Sequence, residues 1–275
     1  MEKVGIIGYG NMGKAIAERT KDKYAVCVFD KIKSIASEKI NVAANLVELV
    51  QQSEIVILAV KPQDFDLLLK EIKPFVQEKL IITIAAGIST GYIKSQLGAK
   101  ARVVRIMPNL PAQIGQGVSV ISKILQATEG DLNKAWELAY DIFSNLGSVL
   151  PVDKEEMINA ATAISGSGPA FFCHYVIQEK KQADKVRDEF INHLALAAVN
   201  LGFDQTEAEL LAGGTVDGTI AMLIEKHLSP EELIRMVASK GGTTEAGLEV
   251  LNSGGALKEA TEKAFKRAGE LERRS

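Results

Sequence analysis

Three glycines near the start of the chain have the spacing of a phosphate-binding loop. Residues 8–13 read G-x-G-x-x-G and follow the apolar run 4–7. The first glycine of such a loop permits a tight turn, the second lets the backbone approach a pyrophosphate, and the third lets the next helix pack closely. The helix N-terminus then offers free N–H groups to the anion. The spacing predicts dinucleotide binding through Gly8, Gly10, Asn11, Met12 and Gly13.

An acidic residue stands where the adenosine ribose of a dinucleotide would lie. Residues 24–29 form a second apolar run that ends at Asp30, about 20 residues beyond Gly10, as the ribose-binding acid of this motif does. Asp30 would accept hydrogen bonds from a 2′-hydroxyl and repel a 2′-phosphate, which favours NADH. The following residues, Lys31, Lys33 and Ser34, could instead pair with that phosphate. The residues leave this choice open, and we expect NADH with NADPH also accepted.

Three further loops follow predicted strands, at the sheet edge where ligands of open α/β folds bind. Lys61 would approach a phosphate or ribose, although a lysine before Pro62 could also simply begin a surface helix. Gly87, without a side chain, would let a nicotinamide lie against the backbone; the alternative is a plain turn. The predicted cofactor-binding residues of these loops are Ala59, Val60, Lys61, Pro62, Ala86, Gly87, Met107, Pro108 and Asn109.

Two glycine-containing loops interrupt the second half of the chain. Residues 165–169 read SGSGP, and each glycine costs about 1 kcal/mol inside a helix. Such a break is tolerated where a backbone meets a ligand or another helix closely, or it is a plain connector. Residues 239–247 read SKGGTTEAG. Hydroxyls and flexible glycines before a helix form a nest of N–H donors suited to a small carboxylate, whereas a simple N-cap needs only one of each.

The elements that would position these loops change character near residue 152. The first half alternates helices with continuous apolar runs at residues 4–7, 24–29, 55–60, 80–84, 102–107, 117–121 and 146–150. Such runs are typical of parallel strands buried on both faces. Later residues read helical, at 154–165, 170–201, 205–226, 230–238, 244–251 and 256–273. We predict a Rossmann-type doubly wound α/β sheet over residues 1–152 and an all-helical domain over residues 153–275.

Composition excludes several classes of function. The chain has 275 residues, 47% of them hydrophobic, and a net charge of −3, so it has no basic footprint for nucleic acid or an anionic membrane. No apolar run is long enough to span a bilayer, and the N-terminus leaves no room for a signal peptide. Cys27 and Cys173 suggest reduced, buried thiols in a cytoplasmic protein. Three unclustered histidines lead us to expect no metal site.

Three motifs together resemble the pyrroline-5-carboxylate reductase family. They are residues 8–13 (GYGNMG), 165–170 (SGSGPA) and 241–244 (GGTT). The loops at residues 59–62, 85–88 and 105–109 are also similar to that family. The resemblance covers nearly the whole chain in the right order, and the two later motifs are the more specific ones.

The resemblance implies reduction of L-1-pyrroline-5-carboxylate to L-proline with NADH or NADPH. It implies that the substrate carboxylate is bound by Ser239, Gly241, Gly242 and Thr243, mostly through backbone N–H groups. It also implies that the hydroxyl of Thr244 meets the ring nitrogen and is the catalytic group. The family's helical domain forms a homodimer, and in many members larger rings of dimers.

The chain departs from the family pattern in two places. Lys240 stands where the family usually has proline, which could loosen the loop or add positive charge near an anionic substrate. The helical stretch from Ala170 to Gly202 is about twice the usual length and includes the polar run 178–185. The extra residues would form a longer helix or a helical excursion. We expect them to affect the assembly of the protein more than its chemistry.

The expected chemistry does not need a titratable acid. A protonated cyclic imine is already a strong electrophile, so the protein must mainly position the nicotinamide, the carboxylate and the nitrogen. The first alternative is a β-hydroxyacid dehydrogenase, which needs a catalytic lysine; the candidates Lys180, Lys181 and Lys185 lie in a polar run. The second alternative is a non-catalytic dinucleotide-binding module, and the loop at residues 239–244 argues against it.

Overall fold

An eight-stranded sheet forms the first half of the protein. The computed structural model describes residues 1–32, 35, 40–123 and 131–272. The strand order is β3-β2-β1-β4-β5-β6-β7-β8, and the first six strands pair in parallel in the Rossmann arrangement. The strands are β1 (Lys3–Ile7), β2 (Ala25–Phe29), β3 (Asn41–Val42), β4 (Ile55–Leu58), β5 (Leu80–Thr83), β6 (Arg102–Met107), β7 (Gly117–Ser122) and β8 (Gly147–Val152).

Helices cover both faces of the sheet and form every element described after β8. The five within the first half are α1 (Asn11–Thr20), α2 (Leu46–Gln52), α3 (Phe65–Ile72), α4 (Thr90–Leu97) and α5 (Asp131–Ser144). The later helices are α6 (Met157–Ala161), α7 (Gly168–Glu179), α8 (Ala183–Asn200), α9 (Gln205–Glu225), α10 (Pro230–Val237), α11 (Thr243–Asn252) and α12 (Leu257–Glu272). The predicted fold class is confirmed. The division into two domains after residue 152 stays a prediction, which the end of β8 at Val152 supports.

Alternating side chains explain why the sheet is buried on both faces. In β1, Ile6 packs into an apolar core with Ile16 of α1, whereas Ile7 packs into a second core with Leu49 of α2 and Leu69 of α3. A third core joins the helical half to the sheet through Val118 and Val120 of β7. Strands buried on both sides read as continuous apolar runs, which is the pattern seen in the sequence.

The strand at β7 corrects the expectation of a parallel sheet throughout. It lies antiparallel to β6, with Ile106 opposite Ile121, and β8 then pairs parallel to it. Only residues 108–116 connect β6 to β7, and this stretch contains a 3₁₀ turn over Leu110–Ile114. A parallel crossover needs about a dozen residues or more, so the connection is too short for one.

Of the two forms expected for the helical stretch over residues 170–201, a longer helix or a helical excursion, the structure contradicts the continuous helix, because the chain forms two helices there. α7 ends at Glu179, and Lys180 takes a left-handed conformation with φ of 53° before α8 begins. The reversal brings the ring of Phe190 to within 5.3 Å of the rings of Phe172 and Tyr175, measured between centroids. A continuous helix would hold Phe172 and Phe190 about 27 Å apart, so burial of Phe190 favours the turn.

The predicted helix over residues 154–165 is also altered. α6 covers only Met157–Ala161 and continues as a π-helical turn over Thr162–Gly166.

Both cysteines are free thiols: Cys173 is buried, and Cys27 is half-buried. Within the described ranges, no helix has the length and apolarity needed to cross a bilayer, and no cluster of His, Cys, Asp and Glu is placed to hold a metal ion.

Candidate active site

The glycine loop leads directly into α1, and the space available for a side chain differs at each of its three glycines. Gly8 has φ of +99°, and a Cβ there would lie 2.6 Å from the carbonyl oxygen of Ala59. A Cβ on Gly13 would collide with the carbonyl oxygen of Gly8, whereas one on Gly10 would meet open space. Gly10 is the N-cap of α1, and no described side chain caps that helix end. The open approach at Gly10 and the N–H groups of α1 suit a pyrophosphate.

Asp30 follows β2 and organises the neighbouring backbone. Its carboxylate accepts hydrogen bonds from the N–H of Tyr9 at 2.7 Å and from the N–H of Ile32 at 2.9 Å. The carboxylate therefore ties the glycine loop to the end of β2, a role that spacing alone did not predict. Lys31 is exposed beside it, while Lys33 and Ser34 lie outside the described residues. Burial and the nearby Glu18 raise the pKa of the Tyr9 phenol above its usual value, so it stays protonated at neutral pH.

The other predicted cofactor loops follow β4, β5 and β6, which lie side by side in parallel. Their carboxyl ends therefore share one edge of the sheet with that of β1. Ala59 and Val60 are half-buried, and Lys61 is exposed before the 3₁₀ turn Pro62–Asp64. The N–H of Ala59 donates to the carbonyl of Ile7 at 2.8 Å, which holds this loop against the glycine loop.

Asn109 supplies a buried donor after β6. Met107 and Pro108 are buried beside it, and its Oδ1 accepts a hydrogen bond from the N–H of Val118 at 2.8 Å. Its Nδ2 is buried and has no hydrogen-bond partner in the part of the chain that the structure describes. A buried amide donor of this kind fits a site that receives a polar ligand.

Gly87 lies against the C-terminal helix rather than facing solvent. It is buried with φ of +74°, and a Cβ there would lie 2.7 Å from the Cβ of Leu271 in the last turn of α12. The neighbouring Ala86 packs against the apolar core of the helical half. The loop expected at the nicotinamide therefore touches the helical half directly, which sequence spacing did not indicate.

The predicted substrate loop folds as a tight turn before α11. The N–H of Gly242 donates to the carbonyl of Ser239 at 2.9 Å, and Gly241 has φ of +71°. Ser239 and Lys240 are exposed. Gly242 is the N-cap of α11, and no side chain among the described residues caps this end.

Two side chains that the sequence did not single out hold Gly241. The Glu245 carboxylate accepts a hydrogen bond from the Gly241 N–H at 2.6 Å. The Arg267 Nε donates to the Gly241 carbonyl at 2.8 Å. One donor expected for the substrate is therefore occupied by a carboxylate of the protein itself. This contact stabilises the start of α11 from within its own first turn.

A buried cluster of three hydroxyl groups lies beneath the loop. Thr243 and Thr244 are nearly fully buried, with exposures of 7% and 5%. The Thr244 hydroxyl donates to Ser167 Oγ at 3.0 Å, and the Thr243 hydroxyl lies 3.3 Å from the same oxygen. Ser167 belongs to the SGSGP break, so the two glycine-containing loops of the second half meet here. The break was the signal that located Ser167, and the position of Glu245 in the first turn of α11 could have located its contact with the Gly241 N–H, whereas nothing in the spacing pointed to Arg267.

One helical turn of α12 joins the two predicted halves of the site. Arg267 holds the substrate loop, and Leu271 lies against Gly87. Four residues of helix separate them, a rise of about 6 Å. The sheet order, the glycine loop and this junction define the class of Rossmann-type α/β proteins with a helical second half.

Comparison with known proteins narrows this class. Residues 188–273 match a family model described as pyrroline-5-carboxylate reductase dimerisation, and residues 3–87 match one described as NADP oxidoreductase, coenzyme F420-dependent. The pyrroline-5-carboxylate reductase of Aquifex aeolicus is 34% identical, over 92% of this chain and 90% of its own. That of Methanosarcina acetivorans is 34% identical over 98% of each. The chain belongs to the pyrroline-5-carboxylate reductase family, as the motifs predict.

A solved structure supports the same assignment. The pyrroline carboxylate reductase of Plasmodium falciparum, crystallised with NADP bound, superimposes with a TM-score of 0.62. It is 26% identical in sequence, and the match covers 98% of each chain. The likeness therefore extends over the sheet and the helical half together.

Proposed function

We propose that the chain reduces L-1-pyrroline-5-carboxylate to L-proline by hydride transfer from NADH or NADPH. Family membership supports the reaction. One observation in the structure supports placing the reaction between the loop of residues 85–88 and the loop of residues 239–244. The last turn of α12 holds Gly241 through Arg267 and packs against Gly87 through Leu271. Leu271 fills the space beside Gly87, so a nicotinamide would lie next to the loop of residues 85–88 and not on Gly87 itself, one helical turn of α12 away from a carboxylate at the loop of residues 239–244.

The cofactor would bind along the edge formed by the loops after β1, β2, β4, β5 and β6. Its pyrophosphate would meet the N-terminus of α1 over Gly10, and its ribose would meet Asp30. The buried Nδ2 of Asn109 is a donor suited to a polar group of the ligand. When bound, the cofactor supplies the hydride. We propose that both nicotinamide cofactors are accepted, with Asp30 favouring NADH.

The substrate carboxylate would bind at Ser239, Gly241, Gly242 and Thr243. The Gly241 N–H is held by the Glu245 carboxylate, so a substrate carboxylate at this donor would have to displace Glu245. The exposed Lys240 adds positive charge at the entrance. The loop would thus fix the substrate by its acid group, at a distance from the reacting bond.

Thr244 would act at the ring nitrogen. Hydride adds to the imine carbon of the protonated substrate, and the electron pair of the C=N bond becomes the lone pair of the product amine. The amine then takes up a proton from water. The hydroxyl of Thr244 would hydrogen-bond the nitrogen and orient the ring during this step, and positioning of this kind accounts for much of the rate enhancement.

The alternative activities lose their support. A β-hydroxyacid dehydrogenase would need a lysine at the site, but Lys180, Lys181 and Lys185 are all exposed around the turn between α7 and α8. A non-catalytic dinucleotide-binding module would not need a second ligand site, such as the one proposed at the loop of residues 239–244. Family membership also favours the reductase over both.

We propose a homodimer formed by the helical domain of residues 153–275, in the cytoplasm. The dimerisation model matched by residues 188–273 supports self-association. From the family resemblance we also propose that the dimers assemble into larger rings. The turn between α7 and α8 lies where the helical stretch of the family is usually shorter. We therefore expect this turn to affect the size of the assembly.

The reaction is tested by incubating the purified protein with pyrroline-5-carboxylate and either NADH or NADPH. We expect the reduced nicotinamide absorbance to fall while L-proline appears in equal amount. A folded protein that binds the cofactor but consumes none of it with this substrate would overturn the proposal.

A further inference from the structure

Ser167 lies at the point where three elements of the helical half meet. It is fully buried and directly precedes α7, after the π-helical turn Thr162–Gly166. Its N–H donates to the Thr162 carbonyl at 2.9 Å, and its hydroxyl lies 3.2 Å from the same carbonyl as a donor. π-Helical turns in helices frequently occur at functional sites. This one turns the Ser167 side chain toward α11.

The distances within the cluster fit one arrangement of its hydroxyl protons. A serine hydroxyl has one proton and two acceptor lone pairs. If the proton of Ser167 is donated to the Thr162 carbonyl, both lone pairs can accept, one from Thr244 at 3.0 Å and one from Thr243 at 3.3 Å. The Thr244 oxygen then keeps its own lone pairs for a partner outside the cluster.

Close helix packing keeps these groups in place. A Cβ at Gly247 of α11 would collide with the ring of Phe171 in α7, so the glycine allows the two helices to approach. A Cβ at Gly168 would lie 2.8 Å from Cγ2 of Thr215 in α9. The SGSGP break and the glycine of α11 therefore serve one purpose, which is to bring Ser167 under the threonines.

We propose that Ser167 is a positioning residue that fixes the Thr244 hydroxyl with its lone pairs toward the substrate. The oxygen would accept a hydrogen bond from the N–H of the protonated imine, so Thr244 would not be the source of that proton. The inference rests on the proposed function, because it requires the ring nitrogen to lie at Thr244. Ser167 itself touches neither substrate nor cofactor in this account.

A double-mutant cycle tests the proposal. The variants are Ser167→Ala, Thr244→Val and the two combined, and kcat and KM for pyrroline-5-carboxylate are measured at saturating NADPH. We expect Ser167→Ala to lower kcat about tenfold in the wild-type background and to cause no further loss in the Thr244→Val background. The KM for NADPH, measured separately at saturating pyrroline-5-carboxylate, should stay unchanged.

Ser165→Ala is the matched control. Ser165 is equally buried and belongs to the same break, but its hydroxyl donates to the Ala161 carbonyl at 3.0 Å within its own helix. We expect Ser165→Ala to lower stability about as much as Ser167→Ala while leaving kcat near the wild-type value. If Ser167→Ala does not fold, Ser167→Cys takes its place in the cycle, because a thiol is a weaker acceptor of similar size.

The outcomes separate this inference from the proposed function. Equal losses from Ser167→Ala in both backgrounds would mean that the residue acts only on the structure, and would overturn the positioning role. An unchanged kcat in Ser167→Ala would overturn it as well. A wild-type enzyme that fails to oxidise NADPH with the substrate would instead overturn the proposed function.

Discussion

At the scale of single residues, the three glycines of the first loop are required for different reasons. Gly8 needs its positive φ, and Gly13 needs contact with the Gly8 carbonyl. Gly10 has φ of −74°, which any residue adopts, and a Cβ there would meet open space. The fold therefore requires Gly8 and Gly13, whereas only a bound ligand requires Gly10.

Substitutions at two of these glycines should separate folding from binding. We expect Gly10→Ala to leave the melting temperature nearly unchanged and to weaken NADPH binding by about tenfold or more, because the added methyl occupies the pyrophosphate approach. Gly13→Ala should lower the melting temperature, since its Cβ collides with the backbone. Calorimetric titration and thermal unfolding of both variants measure this. Equal cofactor affinity in wild type and Gly10→Ala would contradict the placement of the pyrophosphate.

Asp30 is expected to set the preference between NADH and NADPH. We expect Asp30→Ser to raise kcat/KM for NADPH relative to NADH, because the change removes a carboxylate that repels a 2′-phosphate. Asp30→Asn is the control, since it removes the charge but keeps an oxygen for the N–H of Tyr9. Both variants should shift the ratio in the same direction. A ratio unchanged in both would assign the cofactor preference to residues after Asp30.

Sequence spacing predicted the glycine loop and Asp30, but it did not predict the side chains that contact Gly241. The glycine loop and Asp30 are local features, so their chemistry is readable in the chain itself. Glu245 and Arg267 act through contacts with Gly241, and Arg267 is 26 residues away in sequence. The Glu245 contact is local to the start of α11, whereas the Arg267 contact depends on how α11 and α12 pack, which no local pattern encodes. The Ser167 contacts were hidden for the same reason, although the SGSGP break marked the place.

At the scale of elements, a buried ion cluster ties the end of α12 to the sheet. Arg105 of β6 is fully buried, and its Nη1 lies 2.9 Å from Glu272 and 3.3 Å from Glu155. Its Nη2 donates to Asn159 of α6 at 2.8 Å. The cluster holds the same turn of α12 that lies between the two predicted loops of the site.

Removing Arg105 should therefore destabilise the protein strongly. We expect Arg105→Ala to lower the free energy of unfolding by about 3 kcal/mol, because two partly buried carboxylates lose their cation. Urea denaturation monitored by circular dichroism measures the change. Lys123→Ala is the control, since its ion pair with Asp153 is exposed and should contribute little. Similar stability losses in the two variants would contradict this view of α12.

The elements themselves were mostly predictable, and the errors have clear causes. The first six strands of the sheet follow from buried apolar runs and helix alternation, apart from the two-residue β3. The antiparallel β7 and the turn after Glu179 were missed because periodicity reports burial and not strand direction or chain reversal. The short connection after β6 and the aromatic contacts of Phe190 decide these two features.

At the scale of the whole molecule, α8 and α9 leave apolar side chains in solvent. Leu196 and Val199 of α8 are 62% and 39% exposed, and Leu210 and Ile224 of α9 are 41% and 67% exposed. All four lie in the segment that matches the dimerisation model. Leu196 and Val199 are neighbours one turn apart on α8, and adjoining exposed apolar side chains are typical of an association surface.

Charges on this surface should dissociate the assembly. We expect the double variant Leu196→Glu and Val199→Glu to sediment as a smaller species than the wild type, because burying two carboxylates opposes association. Leu67→Glu is the control: Leu67 is 73% exposed on α3, outside the matched segment, and should leave sedimentation unchanged. Dissociation by the control, or none by the double variant, would place the interface elsewhere.

The most direct test of the account is the turnover of Thr244 variants with pyrroline-5-carboxylate at saturating NADPH. Thr244→Val keeps the shape of the side chain and removes its hydroxyl, whereas Thr244→Ser keeps the hydroxyl. We expect kcat to fall about a hundredfold in Thr244→Val and to stay within about tenfold of the wild type in Thr244→Ser, with NADPH affinity unchanged in both. A Thr244→Val enzyme with the wild-type kcat would contradict the claim that this hydroxyl meets the reacting nitrogen.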